Sequence, residues 1–148
     1  MRVRVHSEPF DYGAECEAFA QNVPQNSGAV VTFCGIVRDA VDAPIDRMEI
    51  EHYPAMTQRA IEAFVTQAME RWALSDAMVI HRYGTLQSGE MIMMVATAAR
   101  HRVAAFEAAE FLMDYLKSRA PFWKKEITSD GATWVAAKDA DEDALSRW

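Results

Sequence analysis

The sequence predicts an α+β fold, with an antiparallel or mixed sheet and packed helices in a single domain covering residues 1–148. Strand-like and helix-like segments follow one another in the order β-α-β-β-α-β-β-α-β-β. Several strand candidates are joined by short connections, which favour antiparallel pairing over a doubly wound parallel sheet. With 51% hydrophobic and 25% charged residues, the chain can bury a core and is not a disordered polymer.

Alternating or β-branched apolar segments predict seven strands, at residues 2–6, 28–37, 48–52, 77–83, 90–98, 122–128 and 133–137. The first is expected at a sheet edge. The second, the most apolar, is expected at a sheet centre, with the third pairing beside it across the polar loop 38–47. The last two are expected to form a hairpin across residues 129–132.

Helical periodicity predicts a short helix at 11–22, long helices at 55–72 and 102–117, and an acidic helical turn within 138–148. Pro54 occupies a favourable first helical position, and Pro121 follows the end of the third helix. Between residues 103 and 116 the ionisable side chains all fall on one narrow stripe, so this helix is expected to be packed over most of its surface.

Charge is distributed unevenly along the chain. The formal net charge is −7, yet residues 100–125 contain six Lys or Arg and three acids, a local balance of +3. Cations crowded together repel one another, so a positive cluster in an acidic protein indicates an anionic ligand. The overall acidity argues against general nucleic-acid binding, which requires a basic face.

Several function classes lack their sequence signals. No apolar run is long enough to span a membrane, and the N-terminus lacks the apolar core of a signal peptide. Neither Gly-x-Gly-x-x-Gly nor a Walker motif is present, and the four histidines are scattered without metal-ligand spacing. We therefore expect no metal and no cofactor. Cys16 and Cys34 are the two cysteines, which fits a reducing cytoplasm, and small buried side chains are the favoured interpretation of both.

Two segments are candidates for an anion site. Arg100, His101 and Arg102 lie where a strand meets a helix, and the unpaired N–H groups of a helix N-terminus attract phosphate. Solvated arginines with a locally bonded histidine explain the same pattern equally well. Arg38 lies at a strand end before a loop, where it can reach a ligand, although alone an ordinary surface arginine is preferred.

Lys117 and Lys124 are the candidates for acid–base chemistry. A lysine at a helix C-terminus ordinarily only favours the helix dipole, but here Arg119, Lys124 and Lys125 follow within eight positions. Neighbouring cations lower one another's pKa, which makes a lysine usable near neutral pH. Because strand side chains alternate, Lys124 is expected to point inward if Trp123 and Lys125 face solvent or a partner.

Five stretches together resemble the large, catalytic subunit of molybdopterin synthase across essentially the whole chain. They are residues 28–39, 51–57, 79–84, 99–108 and 113–126, the last reading Met-Asp-Tyr-Leu-Lys-Ser-Arg-Ala-Pro-Phe-Trp-Lys-Lys-Glu. The resemblance implies a hammerhead-type α+β fold. It also implies conversion of a cyclic pyranopterin monophosphate to molybdopterin, with sulfur from the C-terminal thiocarboxylate of a small ubiquitin-like partner. A homodimer at the centre of a heterotetramer is implied as well.

Position by position, the resemblance makes Lys117 and Lys124 the catalytic lysines. It implies substrate or anion contacts at Arg38, His101, Arg102, Lys125, Glu126, Phe33 and Lys138. The family often has arginine at the last of these positions, and lysine lacks the bidentate fork of arginine. No cysteine of this chain is required, because the partner supplies the sulfur.

Two alternatives stay open at this point. A non-catalytic module could use the same cations to bind a ubiquitin-like tail or an anionic nucleotide. A weaker possibility is a structural oligomerisation domain that uses the methionine-rich strand containing Met91, Met93 and Met94.

Overall fold

The computed structural model describes residues 1–39, 43–136 and 139–148. The chain forms eight strands and four helices there, in the order β1 Arg2–His6, α1 Tyr12–Asn22, β2 Ala29–Ile36, β3 Arg47–His52, α2 Pro54–Arg71, β4 Asp76–Arg82, β5 Gly84–Leu86, β6 Met91–Ala99, α3 Arg102–Ser118, β7 Phe122–Thr128, β8 Gly131–Trp134 and α4 Asp139–Leu145.

The strands form two four-stranded sheets. Sheet A has the order β1-β4-β6-β2, and sheet B has the order β5-β3-β7-β8. β1 runs parallel to β4, whereas all other pairs in the described chain are antiparallel. The α+β prediction with a mixed sheet is therefore confirmed, and β1 lies at an edge as expected.

Two strand assignments from the sequence are wrong. β2 lies at an edge of sheet A and not at its centre, and its side chains Val30, Phe33 and Ile36 are exposed. β3 does not pair with β2; it joins sheet B between β5 and β7. β5, which pairs with β3, was not predicted. An apolar pattern reports which face of a strand is buried, and it does not report which strand lies beside it.

The central positions of sheet A belong to β4 and β6. Met93 and Met94 on β6 are buried on opposite faces of this sheet. The methionine-rich strand is therefore core, which removes the basis for the oligomerisation hypothesis that relied on it.

The helix boundaries follow local chemistry. Asp11 caps α1 by accepting a hydrogen bond from the N–H of Ala14 at 3.0 Å, and Pro54 occupies the first turn of α2. β7 and β8 form the predicted hairpin, but with a tighter turn at Ser129 and Asp130. In the described parts of the chain, no helix is both long enough and apolar enough to cross a membrane.

The main core lies between sheet A, sheet B and the helices α2 and α3. It contains Ile50 of β3, Val65 of α2, Val79 of β4 and Phe111 of α3. α1 covers the other face of sheet A through Phe19. The expectation that α3 is packed over most of its surface is only partly correct, because Val103 and Phe106 near its N-terminus are each 61% exposed.

The C-terminal segment is fixed against the helices. Trp148 packs edge-on against Trp72 and Phe111, and its indole N–H donates a hydrogen bond to Asp114 at 2.6 Å. Arg119, after the end of α3, pairs with Glu142 of α4 at 2.6 Å. These contacts hold α4 beside the C-terminal end of α3, where the candidate site lies.

Candidate functional site

A cleft of about 620 Å³ opens where the end of β2, the C-terminal end of α3 and strands β7 and β8 meet. A second hollow of about 300 Å³, here called the inner pocket, adjoins it. The cleft and the inner pocket share Lys117 and Lys124 in their walls, together with Ile36, Ile92 and Leu116.

The two lysines reach this place from different elements. Lys117 is exposed in the last turn of α3. Lys124 lies on β7, after the turn that Pro121 forces on the chain. The two lysines are seven residues apart in the sequence. In the folded chain, both line the cleft and the inner pocket.

Lys124 points inward, as the alternation predicts. It lies opposite the buried Ile50 in the pairing of β7 with β3. Burial, followed by the positive charge of Lys117, lowers the pKa of Lys124 below its ordinary value of 10.5, whereas Asp141 of α4 acts in the opposite direction. A lysine in this environment can give up and regain a proton more readily than one in water.

The two residues after Lys124 differ in position. Lys125 does not line the cleft, and its Nζ lies 5.2 Å from the ring centroid of Trp134. Glu126 does line the cleft. The structure thus groups Glu126 with the two lysines and directs Lys125 to the other face of sheet B.

Two further predicted residues, Phe33 and Arg38, lie on β2 and just after its end. The pairing of β2 with β6 shifts between Gly35 and Ile36, as in a β-bulge, and the chain leaves the sheet there. Arg38 follows on the wall of the cleft, and Phe33 lines the inner pocket while staying 41% exposed.

His101 and Arg102 lie elsewhere in the chain. Both are exposed at the N-terminal end of α3, and at 1.5 Å per residue the helix separates Arg102 from Lys117 by about 22 Å. Within one chain these two residues therefore lie away from Lys117 and Lys124, because closeness in sequence hides the length of the helix. Lys138 lies outside the described residues.

Three residues of the site were not predicted. Asp39 and Asp141 line the cleft, and His81 of β4 lines the inner pocket. With Glu126, the two aspartates balance the charges of Arg38, Lys117 and Lys124 among the described residues of the cleft. The described lining of the cleft therefore has no net positive charge, and any attraction for an anion would depend on where the cations lie. The acidic tail was the available signal for Asp141, but only the packing of α4 brings it here.

The described residues offer neither a metal-ligand cluster nor a paired thiol. Within ranges 1–39, 43–136 and 139–148, no three His, Cys, Asp or Glu side chains cluster as a metal ion would require. Cys16 and Cys34 are free and half-buried. Cys16 lies on α1, whereas Cys34 lies on β2 and lines the inner pocket with the two lysines.

Fold and site together define an α+β protein in which two lysines and an arginine line one cleft. The family model described as "MoaE protein" matches residues 5–119, so the chain belongs to the MoaE family. The resemblance identified from sequence is thereby confirmed.

Individual relatives extend the match to the C-terminus. The "Molybdopterin synthase catalytic subunit" of Cereibacter sphaeroides is 64% identical over 148 residues, covering 100% of both chains. The MoaE structure from Burkholderia ambifaria is 46% identical, with a TM-score of 0.82 over 99% of this chain and 97% of that one. A molybdopterin synthase structure from Staphylococcus aureus is 28% identical, with a TM-score of 0.80 over 90% and 96%.

Proposed function

We propose that this chain is the catalytic subunit of a molybdopterin synthase. It converts a cyclic pyranopterin monophosphate to molybdopterin, using sulfur from the C-terminal thiocarboxylate of a small ubiquitin-like partner. The observation that carries the proposal is the meeting of Lys117 and Lys124, from different elements, on one hollow with Arg38.

The proposed reaction needs phosphate binding, proton transfer and stabilisation of negative charge, and these side chains can supply all three. The substrate carries a phosphate, which the guanidinium of Arg38 can bind with two parallel hydrogen bonds. Sulfur attack breaks C–O bonds, and the departing oxygen needs a proton. Lys124, whose pKa is lowered by burial and by Lys117, is the group placed to exchange that proton, and Lys117 stabilises negative charge as it develops.

Reconstitution tests this function directly. The purified chain, a thiocarboxylated partner and the cyclic substrate are combined, and dithiolene product is measured. We expect product with the wild-type chain and almost none with Lys117→Ala, which should keep its fold because Lys117 is exposed. Partner binding without any product would instead identify a non-catalytic binding module.

The partner's tail must enter the cleft from its rim, where large aromatic side chains are exposed. Trp123 and Trp134 line the cleft and are 43% and 53% exposed, and Tyr53 meets Trp123 edge-on at 4.8 Å. Aromatic side chains are common anchors of protein interfaces. We assign this rim to the docking of the small partner.

We propose that the chain forms a homodimer within a heterotetramer that includes two small partners. This dimer explains why His101 and Arg102 lie far from the lysines of their own chain. Exposed apolar side chains run along β2 and onto the first turns of α3; they are Val30, Phe33, Ile36, Val103 and Phe106. One end of this surface borders the inner pocket, and the other borders His101 and Arg102. In a two-fold interface the opposite ends of such a surface can face each other. Each cleft would then receive His101 and Arg102 from the second copy.

Mixed dimers separate a shared site from an unshared one. Lys117→Ala and His101→Ala are each expected to be inactive. If the site is shared, the mixed dimer contains one cleft with both substitutions and one intact cleft, so product formation returns. If each cleft used its own chain alone, both clefts of the mixed dimer would be defective and mixing would restore nothing.

We also place this activity in the cytoplasm. The support is that Cys16 and Cys34 are both free thiols, as expected in a reducing compartment. Cell fractionation with detection of the native chain tests this assignment.

A further inference from the structure

The inner pocket contains a histidine that the proposed mechanism does not use. His81 lies on β4, and only 3% of its surface is exposed. It lines the inner pocket with Lys117 and Lys124, amid mainly apolar side chains from β2, β6 and α3. A buried imidazole beside two ammonium groups is unusual enough to require an explanation.

The position of the ring is fixed from two sides. Its Nδ1 lies 2.8 Å from the carbonyl oxygen of Arg82, and a carbonyl can only accept a hydrogen bond, so Nδ1 must carry the proton. Phe122 stacks on the ring with 3.7 Å between centroids. In the neutral ring, Nε2 is consequently left with a free lone pair.

The ring stays neutral at every physiological pH. Burial, followed by the charge of Lys124, lowers the pKa of His81 to about 3. Nε2 is therefore a permanent hydrogen-bond acceptor rather than a base or a switch. Among the residues that the structure describes, no side chain or backbone group donates a hydrogen bond to it.

We infer that His81 is a further substrate-binding residue, whose Nε2 accepts a hydrogen bond from an N–H or O–H group on the ring system of the pyranopterin. The inference rests on the proposed function. A phosphate offers only acceptor oxygens at neutral pH, and the lone pair of Nε2 repels them. His81 would thus direct the phosphate toward Arg38 and the heterocycle into the inner pocket, which fixes the orientation of the substrate beside Lys124.

The size and lining of the inner pocket agree with this orientation. A volume of about 300 Å³ lies at the small end of the range for ligand sites, which are mostly apolar with a few placed polar groups. A flat heterocycle fits that description, and a phosphate does not.

Nitrogen NMR of the wild-type complex gives the direct test. The chain has four histidines, so selective ¹⁵N labelling yields few signals. We expect the unprotonated Nε2 signal of His81, identified by its loss in His81→Phe, to move upfield when the cyclic pyranopterin monophosphate is added. His52 is the internal control, because its ring also lies near Phe122, at 6.1 Å, but does not line either hollow.

Two other outcomes would overturn the inference. In the first, calorimetry shows that the substrate binds, but the ¹⁵N chemical shift of His81 Nε2 does not change. The second is a shift produced by the unmodified partner tail and not by the substrate. Neither contradicts the proposed function, which fails only if the reconstituted system makes no product.

Kinetics of substituted chains supply a second readout. His81→Phe keeps the stacking on Phe122 and removes the acceptor. Because the substrate group is then left without an acceptor, we expect a roughly tenfold higher KM for the cyclic substrate. The KM for the small protein partner should not change. His81→Gln, which restores an acceptor, is expected to recover part of the loss, and His52→Phe to show none. Equal effects of His81→Phe and His52→Phe would contradict a binding role.

Discussion

Lys124 and Lys125 are adjacent in sequence but occupy opposite environments. Lys124 faces the cleft, opposite Ile50 in the neighbouring strand, and burial and Lys117 lower its pKa. Lys125 pairs with Glu49 and Trp134 and lies over the indole ring on the other face of sheet B. Strand alternation, and not local charge, therefore decides which of the two lysines can do chemistry here.

The largest expected effect is on turnover. Lys124→Ala should lower product formation by about 100-fold or more, the usual scale for losing a group that transfers a proton. Lys125→Ala should stay within about threefold of wild type, because the lysine faces away from the reaction. Rates from the reconstituted synthase measure both. Equal losses would show that the two faces of β7 are not functionally distinct.

A substitution at the cleft rim should change the KM for the partner and not the KM for the cyclic substrate. Trp123→Ala is expected to raise the KM for the thiocarboxylated partner about tenfold, since a truncated aromatic anchor typically costs more than 1 kcal/mol of binding. The KM for the cyclic substrate should not change. Titration of each component separately makes the comparison, and a rise in the substrate KM alone would remove Trp123 from the docking surface.

The buried His81 of the inner pocket should make the free energy of unfolding depend on pH in acid. The pKa of His81 is about 3 in the folded chain, against an ordinary value of 6.5, so between these values the unfolded chain binds more protons. The free energy of unfolding should therefore decrease as pH falls from 6.5 toward 3, by about 1.4 kcal/mol per pH unit from this group. Denaturant melts of His81→Phe should show a shallower decrease than wild type, and parallel curves would contradict the buried neutral ring.

The smallest expected effect belongs to the acidic tail. Asp141 raises the pKa of Lys124, so Asp141→Asn should move the titration of Lys124 to lower pH. Glu142 is the matched control, because it pairs with Arg119 and does not line the cleft. Glu142→Gln should leave the titration of Lys124 in place, and ¹³C NMR of labelled lysine follows both variants.

Local patterns predicted much of this molecule. Alternation predicted the inward direction of Lys124, and Pro54 predicted the start of the second helix because proline acts within a single turn. The motif around residues 113–126 led to the family. Each of these signals is carried by residues that are neighbours in the chain.

Long-range placement could not be predicted in the same way. β3 pairs with β7, whose Lys124 is 74 positions after Ile50, and no local pattern encodes that choice. Residues 100–125 form one positive cluster in the sequence, but sequence distance does not show that α3 holds His101 and Lys117 apart. His81 was overlooked because a single histidine in an apolar strand gives no signal until Lys124 is folded against it.

A titration of Lys124 shows whether burial and the charge of Lys117 prepare this lysine for proton transfer. The chain contains four lysines, so ¹³Cε-labelled lysine gives a readable NMR titration, with Lys124→Arg identifying the signal. We predict a midpoint below 10.5 that moves upward in Lys117→Met, because burial and the charge of Lys117 both disfavour the ammonium form. A midpoint at or above 10.5 that does not respond to Lys117→Met would contradict a buried Lys124 beside the charge of Lys117 at the reaction centre.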